Sequence, residues 1–145
     1  MRDHKKLKAF QLADKLALDI YRCTSNFPKS EQFGLTAQIR KAAVSVPSNI
    51  VEGCARSSEA DYIHFLVIAF ASARELEYQL SLAIRLNFFD QTAYQNIESL
   101  ANETTRVLAG LIRSFKTRRI TDLQPVVCSL WAAGEARHVY TLTHG

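Results

Sequence analysis

"RKAAVSVPSNIVEG", residues 40–53, decides how this chain folds. Leu35 and Ile39 just before it, then Ala43, Val46 and Ile50 within it, recur at steps of three and four, the period of one helix face. Pro47 interrupts that pattern. It lacks an N–H and its ring crowds the carbonyl of Ala43, which costs about 3 kcal/mol in a helix interior. Val46 would be a poor N-cap for a fresh helix, so a kinked helix is expected rather than two short ones. A polar stripe runs beside the apolar one. Gln38, Ser45, Asn49, Glu52 and Arg56 fall in one narrow sector of the helical wheel. Such a stripe is either a solvated face or a hydrogen-bonded network inside a bundle or at a subunit contact. Buried, each polar group must find a partner; Glu52 would then need Arg40, Arg56, Arg74 or a donor on the next helix.

Further helical runs flank this one. Upstream, Phe10, Ala13, Ala17, Ile20, Thr24 and Phe27 give one mostly apolar face, predicting a helix over residues 5–27 that Pro28 ends. Ser30 is the expected N-cap of the second helix, with Glu31 in its first turn. Downstream, "SSEAD" has capping-box spacing between Ser58 and Asp61 and opens a third helix to about Asn87. The fourth starts after Asp90 and carries Ile97, Leu100, Ala101, Thr104, Val107, Leu108, Leu111, Ile112 and Phe115 to near Arg119. Four long amphipathic runs with three short connections predict an all-α, antiparallel up-down-up-down four-helix bundle over residues 1–119. Residues 120–145, with Pro125 and Gly134, show no sustained period. They are expected to form a tail without clear regular structure, save one short helical turn around Cys128 to Ala133.

The totals agree with one helical domain. The chain has 145 residues, 48% hydrophobic, with only five Gly and three Pro. Cys23, Cys54 and Cys128 are odd in number and far apart, which fits a reducing cytoplasm better than a disulfide framework. No stretch reaches the roughly 18 apolar residues of a membrane span. The basic start "MRDHKKLKAF" leads into an amphipathic run rather than a compact apolar core, so neither a signal peptide nor a membrane role is expected.

"YIHFLVIAFASA", residues 62–73, is apolar nearly all round, interrupted only by His64 and Ser72. A helix greasy on every side is buried on every side. Either the C-terminal tail covers the surplus or a second copy of the chain does, which makes Phe65, Leu66, Ile68 and Phe70 candidate oligomer-interface residues.

A wider pattern joins these segments: Gly34-Leu35, then Gln38-x-Arg40-x-Ala42, then Ser45-x-Pro47-x-Asn49-Ile50-x-Glu52-Gly53. Ala69, Ser72, Glu75 and Leu76 follow on the next helix, and Phe27, Pro28 and Glu31 precede it. Over about residues 7–119 the chain resembles the family of 23S rRNA intervening-sequence proteins, which are four-helix bundles. The resemblance implies assembly into a ring, typically a pentamer. It also implies that Arg40, Ser45, Asn49, Glu52, Ser72 and Glu75 form a structural polar network between the second and third helices. Family members are encoded within intervening sequences of large ribosomal RNA genes, and no reaction is established for them. They look similar to the accessory variability determinant protein of diversity-generating retroelements, a basic bundle that binds nucleic acid beside a reverse transcriptase.

Enzyme signals are poor. There is no GxGxxG, P-loop, GxSxG or HExxH. Glu135-x-x-His138 and Asp61-x-x-His64 imitate a di-iron ligand pair, but such a site needs two pairs and two further inward carboxylates. No catalytic residue, cofactor or metal site is expected.

The cations carry more. The net charge is only +4, but in an up-down-up-down bundle the chain start, the second turn and the end of the fourth helix share one pole. That pole would gather Lys5, Lys6, Lys8, Arg56, Arg113, Lys116, Arg118 and Arg119, against Asp3, Glu59 and Asp61. Cations at helix ends can simply complement the dipole in solvent; clustered, they can bind phosphate. No aromatic side chains interleave with them as in a base-stacking platform, so contact to RNA or DNA would be to backbone. The expectation is a non-enzymatic oligomeric bundle that binds RNA or other nucleic acid; the alternative is a scaffold for an unidentified protein.

Overall fold

A computed structural model describes the backbone of residues 1–132 and the side chains of residues 1–118. Its described residues form four α-helices and no strand: α1 (Lys8–Cys23), α2 (Leu35–Ala55), α3 (Glu59–Arg85) and α4 (Gln91–Ala132). The chain divides into two compact units, Met1–Ile112 and Arg113–Gly145, a boundary earlier than the one expected after Arg119.

Each helix begins and ends for a local reason. Asp3 accepts a hydrogen bond from the Lys5 N–H at 3.1 Å and fixes a short 3-10 turn at His4–Lys6. Leu7 is extended, so α1 opens at Lys8 rather than residue 5. At the other end the Thr24 hydroxyl donates to the Ile20 carbonyl at 2.7 Å, and Phe27 is extended before Pro28. Ser30 does not cap α2. It lies in a 3-10 turn, and the Glu31 carboxylate accepts from the Leu35 N–H at 3.0 Å instead. Ser58 caps α3 as its spacing predicts, accepting from the Asp61 N–H at 3.0 Å. Asn87 closes that helix in the left-handed region, φ 60°, with its own N–H bonded to Ile84 and the Phe88 N–H reaching Ala83. Asp90 caps α4 through the Ala93 N–H at 2.8 Å.

Neither Pro47 nor Pro125 ends its helix, as expected for Pro47 and unlike what was expected around Pro125. α2 runs on through Pro47 to Ala55. α4 continues past Arg119 and through Pro125 to Ala132, so residues 120–132 are helical where a tail without regular structure was expected. A proline removes one hydrogen bond and strains one carbonyl, and a long helix can carry that loss. Part of the expected turn at Cys128 to Ala133, and all that follows Ala132, lies outside the described residues.

The core of the first unit is built from the predicted faces. Leu16 and Ile20 of α1, Ile39 and Ala43 of α2, Leu76, Leu80 and Ala83 of α3, and Ile97 and Ala101 of α4 form one buried cluster. Phe27 enters it from the α1–α2 connection and meets Phe89 edge-on at 4.7 Å. Between α2 and α3 the approach is close. Gly53 is buried, and a methyl group there would lie 2.9 Å from the Phe65 Cβ.

The greasy stretch of α3 sorts itself by period. Tyr62, Leu66, Ala69 and Ala73 are buried. Leu66 is thus a core residue and cannot serve as an interface contact: it sits on the same three-and-four-spaced face as Tyr62 and Ala69. Phe65, Ile68 and Phe70 are half-buried, while Val67, not anticipated, is exposed.

Candidate nucleic-acid interface

The chain start is tied across the end of α2. The Arg2 N–H donates to the Cys54 carbonyl at 3.1 Å, and the Arg2 guanidinium lies 4.2 Å from the centre of the Tyr62 ring. This fixes Lys5, Lys6 and Lys8, all exposed, at the same end of the first unit as Arg56. Arg56 is itself committed: it pairs with Glu52 at 2.6 Å and stacks on Phe65 at 4.8 Å. Lys6 lies 3.9 Å from Asp3. Arg2, Lys5, Lys6, Lys8 and Arg56 thus face Asp3, Glu52, Glu59 and Asp61 on neighbouring stretches, five cations against four carboxylates. The excess at this end is small.

The stronger imbalance lies on α4. No acid occurs between Glu103 and Asp122, while Arg106, Arg113, Lys116, Arg118 and Arg119 all do. Arg106 is easily missed in the sequence because it stands apart from the terminal run. It is exposed in the first unit. Arg113, Lys116 and Arg118 are exposed in the second unit, with Arg118 5.4 Å from the ring centre of Phe115. The side chain of Arg119 lies outside the described residues.

The six residues expected to form one polar network separate into three groups. Ser45 and Ser72 share a hydrogen bond of 2.9 Å between α2 and α3, and the Asn49 amide donates to the Ser45 carbonyl at 2.8 Å and hydroxyl at 3.0 Å. These three are half-buried and form the network proper. Glu52 and Glu75 bond along their own helices, to Arg56 and to Gln79. Arg40 turns the other way. Its Nε donates to Thr24 at 2.9 Å and its guanidinium sits 4.8 Å from the Tyr21 ring centre, so it ties α2 to α1. The helical wheel already sets Arg40 apart from the stripe. Ser45, Ser72 and Glu75 line a groove of about 340 Å³ with Gln38 and Lys41.

Reactive chemistry is muted. Burial raises the Cys23 thiol to about 11, with Asp19 adding to the shift, and burial likewise raises Cys54. Among the described residues no three His, Cys, Asp or Glu side chains come together as a metal site would need. Among them, too, no helix is long and apolar enough to cross a membrane.

No curated protein matches this chain. A solved structure does: a protein of unknown function from the S23 ribosomal protein family of Bacteroides thetaiotaomicron. It is 27% identical, with a TM-score of 0.67, over 72% of this chain and 95% of that one. The family model described as 23S rRNA-intervening sequence protein matches residues 5–110. With the match spanning most of the chain and the four helices in place, the chain belongs to the 23S rRNA-intervening sequence protein family.

Proposed function

We propose that this chain is a non-enzymatic, cytosolic helical bundle that self-associates and binds RNA or other nucleic acid by neutralising phosphates. The observation that carries the reading is the acid-free cationic stretch of α4, with Arg113, Lys116 and Arg118 exposed. Exposed Lys5, Lys6 and Lys8 are a separate set of cations, in the first unit. Phosphate contacts of this kind are non-specific in sequence and fall steeply with salt.

The bundle is read as antiparallel up-down-up-down. Two pairs support this for α2 and α3: Ser45 meets Ser72, and eight residues on, Gly53 meets Phe65. Advancing along one helix retreats along the other. Self-association rests on large apolar side chains in solvent, among them Phe33 at 91%, Tyr78 at 62% and Val67 at 44% exposure. A ring of five is what the family resemblance leads one to expect. The same exposed side chains favour the second reading, a scaffold that captures a protein partner.

The test is fluorescence anisotropy with a structured RNA across a salt series. The wild type binds at low ionic strength with a steep salt slope. Reversing Arg113, Lys116 and Arg118 to Glu reduces that slope by roughly 0.7–0.9 for each phosphate that is no longer neutralised. Absence of any salt-dependent binding removes the nucleic-acid reading and leaves the scaffold. Light scattering on the same samples reports the oligomer.

A further inference from the structure

A cavity of about 160 Å³ lies in the first unit where the α1–α2 connection meets the start of α2, lined by Thr24, Ser25, Phe27, Pro28, Lys29, Gln32, Thr36 and Arg40. Its lining holds two cations and no acid. Arg40 is half-buried and held on two sides, by its hydrogen bond to Thr24 and by the Tyr21 ring. Among the described residues no carboxylate lies within ion-pair distance of Arg40 or of Lys29. Glu31 is close in sequence, but its carboxylate is engaged on the Leu35 N–H. Thr36, only 4% exposed, has a hydroxyl with no hydrogen-bond partner. A guanidinium immobilised without a counter-charge, beside an unsatisfied buried hydroxyl, is an unusual thing for a protein to keep.

We propose that this cavity is a binding site for a single phosphate group, held by Arg40 and Lys29 with the Thr36 hydroxyl. Two positive charges match a phosphate dianion. Its tetrahedral oxygens can accept from Arg40, Lys29 and Thr36 in three directions, where a planar carboxylate satisfied by Arg40 would leave the others unmet. Its volume of about 160 Å³ leaves room for a phosphate group. The site is separate from the cations at the chain start. It lies by the first turn of α2, whereas Arg56 follows its last, about 30 Å away at 1.5 Å per residue.

The test measures the thermal unfolding midpoint of the full chain against sodium phosphate, with sodium chloride at equal ionic strength as reference. Phosphate also stabilises proteins generally, by exclusion from their surface, and that effect grows without saturating. A bound ion instead gives a saturable rise. The expected result is saturation in the wild type, weakened at least tenfold by Lys29→Glu and by Thr36→Val. Lys29 is exposed, so its variant leaves the packing of the fold intact. Reversing Arg113, Lys116 and Arg118 leaves the saturable rise in place, which separates this site from the nucleic-acid role of α4. Short RNAs with a 5′-phosphate or a 5′-hydroxyl identify the source. Tighter binding of the phosphorylated form, abolished in Lys29→Glu, points to a nucleic-acid end; equal binding points to a small free anion. A response that never saturates, or a saturable one unchanged in both variants, overturns the proposal.

Discussion

Gly53 and Phe65 meet so closely that a Cβ on Gly53 would stand 2.9 Å from the Phe65 Cβ, with Tyr62 atoms at 3.3 Å. Neither Phe65 Cβ nor the Tyr62 carbonyl can swing aside, because both belong to the body of α3. Gly53→Ala is therefore expected to destabilise the fold by about 1–3 kcal/mol, the usual cost of overpacking. Gly110→Ala is the matched control. It lies within α4 with nothing inside 4 Å of the new methyl, so the gain in helix propensity should stabilise by roughly 0.5–1 kcal/mol. Urea unfolding measures both.

The Ser45–Ser72 bond spans two helices, whereas the Glu52–Arg56 pair lies along one in solvent. A double-mutant cycle on Ser45→Ala and Ser72→Ala should report a coupling of about 0.5–1.5 kcal/mol. Glu52→Gln should change stability by less than about 0.5 kcal/mol, as exposed helix pairs do. A larger effect of Glu52→Gln than of Asn49→Ala would place Glu52, not Asn49, in the network between α2 and α3.

Glu77 bridges an exposed partner and a buried one. It pairs with Arg74 and accepts from Thr105, joining α3 to α4, while its side chain is 16% exposed and that of Arg74 is 62% exposed. Glu77→Ala strands a buried hydroxyl and should cost about 1–3 kcal/mol. Arg74→Ala removes only the exposed half of a surface pair and should cost under about 1 kcal/mol. Equal losses from the two variants would mean the ion pair, not the Thr105 bond, holds the helices.

Cys23 gives a pH signature. Its thiol is raised to about 11 in the fold, chiefly by burial, from an ordinary value of 9.0. The folded state therefore holds the proton more tightly than the unfolded chain. Its contribution is full below pH 9 and is lost as pH rises toward 11. Stability should fall across that window, and Cys23→Ala should flatten the fall. Alkylation of Cys23 at about pH 8 should run on the order of a hundredfold slower than that of a free thiol, since the thiolate is the nucleophile.

Much of this architecture was legible in one dimension. Ile39, Ala43, Val46 and Ile50 announced the buried face of α2, and Ser58 with Asp61 announced the start of α3, because helical period and capping are local. Ser45, Asn49 and Ser72, grouped in the sequence by the family pattern, are joined by hydrogen bonds in the fold. Where the sequence misled, two local signals of equal strength competed. Ser30 and Glu31 both had the chemistry to cap α2, and only the 3-10 turn decided for Glu31. Pro125 looked like a stop, although Pro47 lets its helix pass.

By itself, then, the sequence determined which residues turn inward on each helix, since that depends on spacing along the chain. Only the tertiary structure decided what those helices bring to one another. It sent Arg40 to Thr24 rather than to the stripe, and showed that carboxylates nearly balance the cations at the chain start. These are relations between residues far apart in the chain, and spacing along one helix carries no information about distance to another.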